Sequence, residues 1–159
     1  MNTSSHVEDM IVGLKAFLVA DLPAYLTAVV AAKNDGIPLP MPNTKDIVLG
    51  AMNLEGYDDY PVVFLVPIGE EYEPLTPSTD LIRATITIWL VIGGHSESDL
   101  NRMIWRYGSE LRNVARDDPT WDSTVERSEV KEVAYFPVVL AEAELQAVRV
   151  TLAAEKELS

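Results

Sequence analysis

The stretch LIRATITIWLVI, Leu81 to Ile92, decides the fold. Its even positions, Ile82, Ala84, Ile86, Ile88, Leu90 and Ile92, form one wholly apolar face, while Arg83, Thr85, Thr87 and Trp89 occupy the other. That parity, with many β-branched residues suited to a pleated surface, predicts a long central strand in an antiparallel sheet covered on one side. Gly93-Gly94 follows at once, and Ser96-Glu97-Ser98-Asp99 then opens a helix with Ser96 as its N-cap. Leu100, Ile104, Tyr107, Leu111 and Val114, with Met103 beside them, form the buried stripe of that helix, which ends around Arg116-Asp117-Asp118-Pro119.

Upstream, Val7, Ile11, Leu14, Leu18, Leu22, Tyr25 and Val29 recur at steps of three and four and predict a first helix from about Val7 to Ala32. Ser4 or Ser5 would cap it, and Pro23 must kink it or divide it in two. Asn34-Asp35-Gly36 stops the helix, and prolines 38, 40 and 42 make an extended connector on the surface. Asp46 to Leu54 reads as a strand of moderate strength interrupted by Gly50. Tyr60 to Pro67 reads as a strand apolar on both faces, buried by a helix on one side. Its other side is covered either by a neighbouring subunit or by loops of the same chain. Residues 69 to 80, GEEYEPLTPSTD, carry four acids and two prolines and are expected to form a long loop, either merely solvated or functional.

Downstream, Thr124 to Val139 alternates charged and apolar residues with one phase change, which predicts a solvent-facing strand with a bulge near Ser128 to Val130. Glu144 to Ala153 repeats the alternation and pairs with it through a hairpin at Val139 to Glu142. Residues 1–5 are expected to be a flexible start and 155–159 a frayed tail. The order is αβββαββ, an α+β fold: a mainly antiparallel sheet of about five strands packed against two helices, in one domain spanning 1–159.

Composition narrows the chemistry. The 159 residues include no cysteine, which removes disulfides, thiolate metal sites and cysteine nucleophiles together. The net charge of -13 keeps the chain soluble and opposes attachment to phosphate backbones, so tight nucleic-acid binding is not expected. Glu8, Asp9, Lys15 and Asp21 interrupt the apolar run of the first helix, and a cytosolic chain with no membrane span is expected.

No catalytic, cofactor or metal site is predicted. Ile92-Gly93-Gly94-His95 precedes a helix as a phosphate-binding turn would, but Glu97 and Asp99 already place negative charge at that helix start. His6 and His95 lack partners at metal-ligand spacing. Glu70, Glu71 and Glu73 lack the residue order of a dedicated calcium loop. No G-x-S-x-G motif is present. Trp89, on the polar face of the central strand, and Trp105, off the buried stripe of its helix, are either covered by other parts of the chain or contact anchors in an oligomer.

The long N-terminal helix, the proline-rich connector, the YPVVFLVP strand at 60 to 67, the alternating central strand leading to the Trp105 helix and the late strand pair together resemble the tail terminator or tail completion proteins of tailed bacteriophages. The length of the N-terminal helix and its Pro23 break depart from that pattern and fit a related neck protein equally. The resemblance implies a non-enzymatic virion protein, made in the host cytoplasm. It would form a ring, commonly a hexamer, that caps the tail tube and offers the docking surface for the head-completion protein. An acidic ring would let DNA pass without sticking. The interface candidates are Tyr72 and Trp89, with Glu70, Glu71 and Glu73 in the same loop. The competing reading is an acidic monomeric inhibitor or immunity-type protein for a basic partner. An enzyme with an unrecognised site is the third.

Overall fold

The computed structural model describes residues 6–158. A 28-residue helix, α1 (His6–Lys33), is followed by a 3-10 turn at Thr44–Asp46 and a short strand, β1 (Ile47–Leu49). Two long strands, β2 (Val62–Thr76) and β3 (Thr79–Ile92), lead into the second helix, α2 (Glu97–Asp117). The strands β4 (Arg127–Leu140) and β5 (Ala143–Leu158) complete the α+β fold in the predicted order. The sheet runs β1-β2-β3-β5-β4, antiparallel throughout except for the three-residue parallel pairing of β1 with β2.

β3 is the central strand, and its parity holds. Ala84, Ile86, Ile88, Leu90 and Ile92 enter the main core with the stripes of both helices. α1 contributes Met10, Ile11, Leu14, Phe17, Leu18, Leu22 and Leu26 to it, a wider face than the periodicity of the first helix predicted. By length and mean hydropathy α1 also satisfies the requirements of a membrane span, but here its apolar face is packed against the sheet. Pro23 does not divide it. Proline removes only the hydrogen bond to the carbonyl four residues back, that of Val19, which lies on the exposed side of the helix. The expected caps Ser4 and Ser5, like the whole 1–5 segment, lie outside the described residues. The Ser96 cap of α2 is present, its hydroxyl accepting the Asp99 amide at 3.3 Å.

Several expectations need correction. The segment from 69 to 80 is not a loop. β2 and β3 continue through it as a ladder from Val62↔Val91 to Thr76↔Thr79, closed by a turn at Pro77 and Ser78. The frayed tail is instead the end of β5, paired with β3 as far as Asp80↔Leu158. The strand expected over Asp46 to Leu54 keeps only three residues, because Gly50 turns the chain with φ +133°. The proline connector is not wholly superficial: Ile37 and Leu39 reach the main core, Pro42 is buried as well, and the Tyr107 hydroxyl donates to the Pro40 carbonyl at 2.5 Å.

The side of the sheet away from the helices is not uniformly polar either. Val62, Phe64, Val91, Leu145 and Ala147 form a second, smaller core with Leu54, flanked by Tyr57, Tyr60, Trp89 and Phe136. Chain segments around Leu54 and Tyr57 cover the far face of the doubly apolar strand. Thr87 is buried there, its hydroxyl donating to the Val66 carbonyl at 3.1 Å. The bulge in β4 falls between Val130 and Glu132, beside its predicted position.

Candidate interaction surface

The segment read as an acidic loop is an arm. β1 covers the outer edge of β2 only at Val63 to Leu65, so among the described residues no strand pairs with that edge from Val66 to Thr76. Unpaired N–H and C=O groups along such an edge are ready to meet another chain. The ladder is irregular between Pro67 and Gly69 and again between Pro74 and Thr76. The residues left without partners there, Ile68 and Leu75, are 64% and 45% exposed, and Tyr72 between them is 56% exposed. Each irregularity thus presents an apolar side chain to solvent. The two prolines are tolerated because β2 has an open edge at this height.

The arm's acids do not converge. Glu70 lies opposite Ala84 and Glu71 opposite Arg83, so they point to opposite sheet faces. Glu70 accepts from the Tyr72 hydroxyl, which raises the tyrosine pKa. Glu73 pairs with Arg83 at 2.7 Å, and Arg83 also reaches Glu155 at 3.1 Å. These carboxylates are solvated or individually paired, with no common cation position.

Trp89 does not join Tyr72. Tyr72 pairs with Ile82, seven residues before Trp89 along β3 and on the opposite face, a separation of about 23 Å at the rise of a strand. Trp89 is half-buried in a stack of its own. Its ring lies 5.4 Å from Phe136, and the Arg149 guanidinium sits 5.5 Å from Trp89 and 5.1 Å from Phe136. Arg149 is also paired with Glu132. The stack was missed because it needs the registers of β3 with β5 and of β5 with β4, which no single strand reveals. Of the other tryptophans, Trp105 is 54% exposed and Trp121 is completely buried.

One further place was not singled out from the sequence. Carboxylate oxygens of Asp21, Asp118 and Asp122 lie within 4.8 Å of one another. The Asp118 carboxylate already accepts from the Thr120 amide and hydroxyl and from the Asp122 amide, and these bonds, that of Asp122 foremost, hold its pKa down. The Asp122 pKa is raised by desolvation and by sharing a proton with its neighbours. This cluster closes α2 and orders Trp121, Asp122 and Ser123, whose φ angles are 50°, 54° and 71°. At the end of the sheet, His95 lies in an open concavity of about 840 Å³ with Tyr60, Asp58, Gly93 and Glu144. No serine, threonine, lysine or arginine lines it, so the histidine has no nucleophile to activate and no cation to hold an anion.

No known protein family matches the chain, and no curated protein sequence matches it.

Proposed function

We propose that this chain is a structural ring subunit of a phage virion, of the tail terminator or neck kind, and that it works without catalysis. The observation that carries this reading is the arm: an open strand edge from Val66 to Thr76, with Ile68, Tyr72 and Leu75 exposed along it. Prolines, bulges and glutamates oppose pairing of a further strand along this edge, so it is the exposed apolar side chains that offer the contact surface. The net charge of -13 suits a ring through which DNA passes without adhering. In this role the partners are other copies of the chain, the tail tube protein and the head-completion protein, and the protein resides at the tail end or neck.

The test is native mass spectrometry or light scattering over a range of concentrations, paired with infection by a phage lacking the gene. A defined oligomer, and tails that overgrow and fail to join heads, support the reading. Normal head-to-tail joining without the protein overturns it. A lasting monomer that captures a basic partner supports the inhibitor reading instead. Filter binding to duplex DNA at moderate salt gives no micromolar, salt-sensitive retention if the acidic surface acts as described.

A further inference from the structure

The outward face of α2 has a charge opposite to that of the rest of the molecule. Arg102, Trp105, Ser109, Arg112 and Arg116 recur at steps of three and four, and all are exposed. Between Leu100 and Arg116 the helix has four arginines and a single acid, Glu110, which is buried. That segment carries a net +3, leaving -16 for the remainder of a chain whose total is -13. Arg106 is committed to Asp35 through two hydrogen bonds of 3.1 and 2.5 Å. Arg116 has only the exposed Asp117 at 3.5 Å. Arg102 and Arg112 have no carboxylate in salt-bridge range among the described residues, and neither has Lys33, which shares with Arg102 and Trp105 an open groove of about 460 Å³.

We infer that this stripe receives the β2–β3 arm of a second copy of the chain. The inference rests on the ring reading and deepens it by naming the two surfaces that meet. The arm supplies the opposite charge, since Gly69 to Asp80 holds four acids and no base, and of the four only Glu73 is in an ion pair among the described residues, with Arg83. It also supplies apolar side chains, Tyr72 and Leu75, to lie beside Trp105. The lengths agree: Arg102 to Arg116 spans about 21 Å of helix, and Gly69 to Thr76 about 23 Å of strand. The placement is that of a head-to-tail contact. The arm borders the β2 edge of the sheet, whereas α2 packs on β4 and β5 at the opposite margin. No ion pair or hydrogen bond joins the two surfaces within one copy among the described residues. Two different patches on opposite margins are what a closed ring of identical subunits requires.

The test is a charge exchange on the full chain. One variant carries Arg102→Glu, Arg112→Glu and Arg116→Glu, and another carries Glu70→Lys and Glu71→Lys, with circular dichroism confirming that both fold. Each alone sediments as a monomer under conditions where the wild type assembles, and an equimolar mixture recovers the oligomer, because each variant's arm then meets a stripe of opposite charge. Oligomers that persist in either single variant, or a mixture that stays monomeric, overturn the inference. The ring reading would survive either result, with the subunits meeting elsewhere. A wild type that is monomeric at every concentration overturns self-docking, while infection by phage lacking the gene still decides the ring reading. Retention of duplex DNA by the wild type, lost in the arginine variant, would make nucleic acid the occupant and overturn the inference.

Discussion

β2 and β3 form one continuous ladder with two very different halves. At the body end, Val62 to Leu65 and Ile86 to Ile92 are buried on both sheet faces, save for the half-buried Trp89. At the arm end, the same strands past Pro67 expose nearly every residue of β2. Backbone pairing is therefore enough to extend a strand far beyond the core that stabilises it, and the extension is where side chains become available to other molecules. Burial belongs to one half and exposure to the other.

Three substitutions test that division. The largest loss is expected for Ile88→Ala in the body, about 2 to 5 kcal/mol in denaturant titration, since the residue is completely enclosed between sheet and helices. Thr87→Ala, one residue along and on the other face, should cost about 1 kcal/mol, because a hydrogen bond to the Val66 carbonyl is lost. Losses of equal size at 87 and 88 would show that the two faces of the body are equally core-like. Tyr72→Ala on the arm should alter stability by less than about 0.5 kcal/mol while abolishing assembly. A large stability loss there would place the arm in the core, and unchanged assembly would remove Tyr72 from the interface.

The last test concerns pH, and its contribution is the smallest. The Arg106 guanidinium holds the Asp35 carboxyl at about 2, below its usual value. A depressed carboxyl contributes stability that is present above its unfolded pKa, near 3.9, and is lost as pH falls through about 2. Asp35→Asn should therefore flatten the acid limb of the stability curve between about pH 4 and 2 and leave assembly at neutral pH unchanged. A variant with the wild-type acid limb would show that the pair is fully screened by solvent.

The halves were also unequally legible. The body could be read because burial writes itself into residue type: the parity of β3 and the stripe of α2 are both selected by contact with the core. The arm could not, because Glu70, Glu71, Glu73, Pro74 and Pro77 meet solvent and carry turn-like chemistry, while the pairing that makes them strand runs through the backbone. Glu155 to Glu157 misled for the same reason, since their charges suggested fraying. Glu155 is instead held between Arg83 and Arg127. Of the site candidates, Tyr72 lies on the arm and the acids flank it, but Trp89 belongs to a stack with Arg149 and Phe136 elsewhere. The arginine stripe of α2 was not read from the sequence, where no basic cluster stands out. It gains meaning only once the buried stripe of the same helix shows which arginines face outward.

The strand order has a consequence for how the chain comes together. β5 is the last strand in sequence, yet it lies between β3 and β4. Each hairpin, β2 with β3 and β4 with β5, is closed by a two-residue turn and joins near neighbours. The seam between them is not local, for its pairs lie from 54 residues apart, Ile92 with Gln146, to 78 apart, Asp80 with Leu158. Contacts of such separation are slow to form. During synthesis the apolar face and free edge of β3 must wait for β5 to emerge, so a nascent chain exposes its own central strand until β5 has been made. The step most open to aggregation is thus the docking of two preformed hairpins along β3 and β5.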